Sequence, residues 1–381
     1  MSTRLKIGLI SPYHGGSHKA WAEGLMGGSR HDVTLFSLPA RYWKWRMHGG
    51  AVTLAGQFRQ SAVKPELVVA TDMLDVTTFL ALTRPFTAYT PVGLYMHENQ
   101  LTYPLPQDGR TGPMRRQHGE RDLHYVFINF ASMLAADFVM FNSQYHLESW
   151  FAALPGFLKH FPEYQELPTI AALRAKSQVL PVGIDLEDLQ RPSTPFFAAA
   201  NEKRPLILWN QRWEYDKNPE DFFQALITLA DEGFPFSVAL CGEQFGRRPS
   251  VFQTAIAYLG DRVIHVGHAP RETYRALLWA ADLTISTAYH EFLGISILEA
   301  IACHTFPLLP NRLSYPELLP EPFHSHCLYE NQANLVERLR HALSDLPQIH
   351  QWAAELATAV TPYDWRQLAP RYDQTFSQFS A

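Results

Sequence analysis

Cysteine is scarce in this chain. Only Cys241, Cys303 and Cys327 occur among 381 residues, far apart and without metal-ligand spacing. That excludes a disulfide framework and suits a reducing compartment. Long apolar runs are missing as well, and none reaches the roughly 18 residues of a membrane span. The chain passes at once into Leu5-Lys6-Ile7-Gly8-Leu9-Ile10, too short for a signal peptide's apolar region and better read as a first strand. A soluble, cytoplasmic protein without a membrane partner is therefore expected. No D-x-D pair is present to hold a divalent ion through phosphates, so no metal is expected. A G-x-G-x-x-G fingerprint and a Walker lysine are lacking too, as are short repeats, heptads and low-complexity tracts.

What is present is a globular composition, 46% apolar, in a chain too long for one ordinary core. In the first half, strands are expected at 5–10, 32–37, 66–70, 92–96 and 137–141. Helices are expected near 17–27, 50–60, 74–82, 119–135 and 144–153. Residues 176–183 read as a last strand leaving into a linker. The second half repeats the plan, with strands at 206–209, 236–240, 263–266 and 282–286. Its helices fall at 219–230, 249–259, 271–280 and 294–303. Such βα alternation implies parallel sheets covered on both faces. Two doubly wound domains facing each other would make a cleft at the carboxyl ends of their sheets, where such folds bind ligands. The expected domains are 1–183, joined by a C-terminal helix at 364–381, and 184–363. Charge divides between the halves. Residues 1–183 carry 17 Lys and Arg against 13 Asp and Glu, and the remainder 15 against 24. A basic half suits a polyanionic partner; uneven loops would give the same split.

The stretch His290-Glu291-Phe292-Leu293-Gly294-Ile295-Ser296-Ile297-Leu298-Glu299 organises the second half. A helix opening near Gly294 would place Glu291 in the strand-to-helix loop and Glu299 about two turns into the helix. A helix start offers free N–H groups and a positive dipole end to a phosphate. Two glutamates eight apart could also be a solvated surface face. Arg212 and Lys217, five apart after the strand at 206–209, would supply a planar fork and a point charge to a diphosphate. In the first half, Gly15 and Gly16 follow the first strand, and Ser17 could cap the next helix. This is a weak phosphate loop, or simply a tight βα turn. Polar groups bunch at the end of the fourth strand: His97, Glu98, Asn99 and Gln100. Trp43, Trp45 and Arg46 offer two aromatic faces and a cation, which suits a base or sugar beside a phosphate, or else a core. Arg110, Arg115, Arg116, His118, Arg121 and His124 form a basic stretch, or a solvated loop.

The second half resembles the nucleotide-binding domain of retaining glycosyltransferases of the GT-B architecture. Arg212 with Lys217, the loop 291–294 and Glu299 carry that likeness. The resemblance implies that Arg212 and Lys217 neutralise a leaving diphosphate. It implies that Glu291 holds sugar hydroxyls and Glu299 the ribose. Gly294 and Ile295 would offer backbone near the sugar and phosphate, Phe292 and Leu293 would belong to the same donor-binding set, and His97 would touch the donor sugar. The first half narrows the match. Gly-Gly-Ser-His at 15–18, Leu-Pro-Ala-x-x-Trp-x-Trp-Arg at 38–46, His-Glu-Asn-Gln-Leu-x-Tyr-Pro at 97–104 and Phe-Asn-Ser at 141–143 are similar to the tRNA-queuosine mannosyltransferase family. What that implies is transfer of mannose from GDP-mannose to the cyclopentenediol of queuosine in tRNA. The catalytic set would be His97, Arg212, Lys217 and Glu291, with Gly15 and Gly16 on the donor. Trp43, Trp45, Arg46, Glu98, Asn99, Gln100, Tyr103, Arg115 and Arg116 would face the acceptor. Rival expectations are another donor or acceptor, a nucleotide-sugar epimerase, a lipid glycosyltransferase and a non-catalytic RNA-binding protein.

Overall fold

The structure is a computed structural model. It describes residues 4–104, 122–194, 196, 204–242 and 250–379. The chain divides into two units, Met1–Ile184 with Tyr363–Ala381, and Asp185–Pro362.

Six parallel strands make the first unit's sheet: β1 (Lys6–His14), β2 (Asp32–Pro39), β3 (Leu67–Thr71), β4 (Val92–Met96), β5 (Phe138–Phe141) and β6 (Ser177–Val179). Their order is β2-β1-β3-β4-β5-β6. All five residues of β3 and of β4 are buried, as strands covered on both faces must be. The covering helices are α1 (Gly16–Gly28), α2 (Trp43–Gln60), α3 (Val76–Thr87), α4 (Leu123–Ala135), α5 (Gln144–Leu158) and α6 (Thr169–Ala175). Asp75, Asp122 and Ser143 cap three of them by accepting from backbone N–H groups.

The helix Trp365–Gln378 closes this unit. Trp21 donates from Nε1 to Tyr372 Oη at 3.0 Å, and Tyr372 donates to the carbonyls of Leu180 and Pro181 at 3.0 and 2.8 Å. Gly24 and Gly183 lie against the Trp365 ring so closely that a methyl group at either would come within 2.0 and 2.6 Å of it.

The second sheet comprises β7 (Leu206–Asn210), β8 (Ser237–Cys241), β9 (Val263–Gly267), β10 (Leu283–Ile285), β11 (Phe306–Pro310) and β12 (Leu328–Tyr329). Its order is β12-β11-β10-β7-β8-β9. Helices α7 (Pro219–Asp231), α8 (Ser250–Leu259), α9 (Arg271–Ala280) and α10 (Ile295–Ala302) follow β7, β8, β9 and β10. In both sheets the strand order reverses beside the first strand, between β1 and β3 and between β7 and β10. Ligands of doubly wound sheets bind at the carboxyl ends flanking that reversal. No helix of the described residues is long and apolar enough to cross a membrane.

Four local expectations need correction. Helix α2 starts at Trp43 rather than near residue 50. Gly49 and Gly50 read as breakers, but a buried face of Met47, Gly50, Ala51, Leu54, Ala55 and Phe58 carries the helix through them. Ser17 does not cap α1: the helix starts at Gly16, its N-cap is Gly15, and no side chain caps it. Glu299 is the fifth residue of α10, one turn in rather than two. Strand β11 was not marked by periodicity, because Pro307 and Pro310 break the strand pattern. Phe306 N donates to the Asp282 carbonyl of the β10 segment. By alternation, the N–H that Pro307 lacks would face β12, which pairs only with Leu309 and Pro310.

Candidate active site

In the second unit, the loops after β7 and β10 are tied together. Thr287 Oγ1 donates to the carbonyls of Lys217 and Asn218 at 3.0 and 2.7 Å, and Tyr289 N donates to the Asp216 carbonyl at 2.8 Å. A 3₁₀ turn at Tyr215–Lys217, followed by Asn218 at φ 50, folds the first loop back before Pro219 opens α7. Lys217 is thereby buried. Its Nζ donates to the His290 carbonyl at 2.8 Å and to Glu291 Oε2 at 3.1 Å, and lies 3.4 Å from Asp216. Arg212 pairs with Glu214 at 2.7 Å and approaches Asp216 at 3.6 Å. The structure thus brings Arg212, Lys217 and Glu291 into one charge cluster. Arg212 is the more exposed of its two cations, 43% against 6%, and so the more accessible to a ligand.

Burial raises the Glu291 pKa, but Lys217, His290 and Arg212 outweigh it and hold the group below the usual carboxylate range. His290 is pushed down to about 4, by burial first and then by Lys217. For Glu214 the balance goes the other way: burial outweighs Arg212 and leaves the pKa raised. At neutral pH, Glu291 is a charged acceptor and His290 a neutral ring.

Gly294 caps α10 at φ 94, a left-handed conformation that disfavours any side chain. No side chain caps this start, and the first turn carries no acid, so the end remains compatible with an anion. Ile295 is the first helical residue. Phe292 and Leu293 are buried at 4% and 3% exposure. Glu299 is held at both oxygens: Oε1 accepts from Arg271 Nη1 at 2.9 Å and Oε2 from Tyr274 Oη at 3.0 Å. Tyr274 accepts in turn from Asn210 Nδ2 at 3.3 Å. Burial, then Glu299, raises the Tyr274 pKa well above its usual value, so it stays a hydrogen-bond donor.

The first unit gathers a different set at its strand ends. Gly15 packs against Ala40, where a methyl group would come within 2.4 Å, and Gly16 lies at φ 51. His97 is buried, its N–H donates to Asp72 Oδ1 at 3.0 Å, and neither ring nitrogen has a hydrogen-bond partner among the described residues. The His18 and His97 ring centroids lie 4.0 Å apart. Burial, then His18 and His146, drives the His97 pKa well below normal. Burial, then His14, takes His18 down to about 3. Asp72 is fully buried, and burial reinforced by Glu98 raises its pKa well above the ordinary value. The result is a cluster of neutral rings with unused nitrogens beside a buried carboxyl group whose pKa burial raises.

The other acceptor candidates separate. Asn99 Oδ1 accepts from Leu101 N, Thr102 N and Thr102 Oγ1, which fixes the turn, while Glu98 accepts from Gln100. Tyr103 is half-buried at the edge of the described residues. Only one of the two tryptophans offers an open face. Trp43 packs inward against Met47, Met73, Tyr125 and Ile128, whereas Trp45 is 63% exposed. Arg46 Nε donates to the Pro39 carbonyl at 3.2 Å. Arg110, Arg115, Arg116, His118 and Arg121 lie outside the described residues, and His124, the second residue of α4, stacks on His48.

Sequence reasoning missed Asp72, His18, His146, Asp216, Arg271 and Tyr274. Each is an ordinary residue at a strand end or on a helix. Only the switch-point rule, applied to β3 as well as β1, could have drawn attention to Asp72. Among the described residues, no cluster of three or more His, Cys, Asp or Glu is arranged to hold a metal ion.

Comparison with known proteins follows the two units. Residues 6–184 match the family "tRNA-queuosine alpha-mannosyltransferase N-terminal", and residues 190–356 match "Glycosyl transferases group 1". The Drosophila melanogaster tRNA-queuosine alpha-mannosyltransferase is 32% identical over 98% of this chain and 97% of its own length. Sucrose-phosphate synthase from Thermosynechococcus elongatus superposes with a TM-score of 0.74 at 16% identity, covering 98% of this chain and 99% of that one. Anabaena HepE, in complex with UDP and glucose, gives 0.68 at 15% identity over 98% and 100%. Those structures establish the GT-B α/β fold, and the sequence matches establish a glycosyltransferase. The chain belongs to the tRNA-queuosine alpha-mannosyltransferase family.

Proposed function

We propose that this chain transfers mannose from GDP-mannose to the cyclopentenediol of queuosine in tRNA, with retention of configuration and without a metal. The observation that carries the donor half is the cluster after β7 and β10. A buried lysine and a partly exposed arginine lie in loops tied to one another, next to a helix start without acids. In this reading, Arg212 turns from Glu214 to the departing diphosphate, while Lys217 stays anchored and acts through its charge. Preorganised charge of this kind is where enzymes usually gain most. Glu291 accepts from sugar hydroxyls, Glu299 from the ribose, and the α10 backbone meets phosphate. His97, with open ring nitrogens, contacts the sugar.

The full-length relationship to the Drosophila enzyme supports the acceptor. On that side the reading assigns Trp45, Arg46, Glu98, Gln100 and Tyr103. The anomeric carbon gains oxocarbenium character as the diphosphate leaves. The acceptor hydroxyl attacks the same face, and a donor phosphate oxygen takes its proton.

The test is incubation with GDP-mannose, GDP-glucose, UDP-glucose and UDP-galactose, each with bulk tRNA, followed by nucleoside mass analysis. One hexose should appear on queuosine from GDP-mannose. Transfer only to lipid or a small molecule, or epimerisation without transfer, would refute the reading. Activity should persist in EDTA; loss in EDTA with rescue by magnesium or manganese would overturn the metal-free part.

A further inference from the structure

Helix α2 carries a surface that the core does not use. The Trp45 ring lies flat across Gly49, where a methyl group would fall 2.5 Å from Cε2 and 2.6 Å from Cζ2 of the indole. One ring face is therefore pressed to the helix and the other is open, with the residue 63% exposed. Tyr42, at the N-cap of the same helix, is 79% exposed and sits at φ 52, ψ 56. An aromatic residue held left-handed while its ring gains no burial is strain that the core does not repay. Trp43 between them is turned inward.

The stretch of chain that carries these rings has charge of one sign. From residue 33 to residue 65 there is no Asp or Glu, while Arg41, Lys44, Arg46, Arg59 and Lys64 fall in that span. Arg41 and Lys44 are exposed at the start of this helix, although the Lys44 ammonium lies over the Trp43 and Tyr125 rings, 5.5 and 5.7 Å from their centroids. Flat aromatic faces in a stretch with cations and without acids are complementary to a base flanked by phosphates. Inside a duplex the base faces are already stacked, so an indole finds an open base face chiefly where a base is unpaired.

We propose that Trp45, backed by Gly49 and flanked by Tyr42 and Arg41, is a stacking platform for an unpaired nucleotide of an RNA substrate. This rests on the reading of an RNA acceptor given above, and it assigns Trp45 a nucleotide outside the reacting one. Gly49 is part of the device, because any side chain there would lift the indole from the helix.

The test measures binding of an RNA hairpin with an unpaired loop, and of a blunt duplex of the same stem, by the full-length protein. Trp45→Ala should weaken hairpin binding about tenfold or more, as loss of one stacked base does. Trp45→Phe should restore most of it, and duplex binding should scarcely change. Gly49→Ala is the sharper variant. Alanine favours a helix over glycine, so folding is preserved while the displaced indole weakens hairpin binding. Nucleotide-sugar binding should be unchanged in all three. Wild-type hairpin affinity in both Trp45→Ala and Gly49→Ala, or an equal loss for hairpin and duplex, would overturn the platform. If the wild-type protein binds neither RNA, the RNA reading itself falls. Binding to anionic vesicles that is lost in Trp45→Ala while RNA binding persists would assign the surface to lipid and overturn the proposal.

Discussion

Lys217 shows how one residue can be both structural and functional. Its ammonium is committed to the His290 carbonyl and to Glu291, so it cannot swing far. Lys217→Ala would leave the buried Asp216 and the partly buried Glu291 beside a missing charge, which costs stability as well as catalysis. Arg212→Ala should be cleaner, because that side chain is 43% exposed. Transfer should fall on the order of 10²-fold or more with little change in melting temperature. Near-normal turnover in both variants would mean that the diphosphate binds elsewhere. Glu299 gives a second test at this scale. Arg271 and Tyr274 hold its two oxygens, so these are positioning residues for a group that we assign to the ribose. Tyr274→Phe removes one hydroxyl and almost no volume. Discrimination between GDP and its 2′-deoxy counterpart should shrink while kcat on saturating donor changes little. An unchanged ratio, measured by competition binding, would detach Tyr274 from ribose recognition.

The elements were largely legible, for reasons visible in particular residues. The helix at 295–302 announced itself because Gly294 breaks the chain and Ile295, Leu298 and Ala302 recur at helical spacing. Strands β3 and β4 were legible because fully buried parallel strands read as continuous apolar runs. Helix α2 was half lost, since Gly49 and Gly50 look like breakers in sequence. In the structure they are close-approach positions, one under Trp45 and the other 3.1 Å from Pro12 as a methyl group would see it. Strand β11 was hidden by its prolines. The charged loop after β7 was legible as Arg212 and Lys217, whose chemistry is strong at any spacing. The acids that hold them were not, because Asp216 gains its meaning only when the turn at Tyr215–Lys217 buries it. The same holds for Asp72, which is unremarkable until β3 carries it inside. In both cases the missing information was burial, not residue type.

At the scale of the molecule, each unit buries a neutral histidine at the carboxyl end of its sheet. His18 is held down to about 3 and His290 to about 4, each mainly by burial. The folded protein therefore resists taking up these protons, while the unfolded chain accepts them near the ordinary value of about 6.5. Where the unfolded state binds more protons, stability rises with pH. The stabilisation associated with these neutral rings is complete above about pH 6.5. It is lost progressively as pH falls, down to about 4 for His290 and about 3 for His18. Within that window each ring contributes a slope approaching about 1.4 kcal/mol per pH unit. Chemical denaturation at pH 7.5, 6.0 and 5.0, which we choose to bracket the upper part of the window, should show stability falling on acidification. Replacing a ring by a neutral side chain that cannot titrate removes its term. His18→Gln and His290→Gln should each flatten the profile by up to one proton, even if each lowers stability at pH 7.5. Because the two rings lie in different units, the double variant should flatten the profile by the sum of the single effects, as independent sites do. A wild-type profile that is flat from pH 7.5 to 5.0, or variants that keep the full slope, would show that these rings already carry protons in the folded chain.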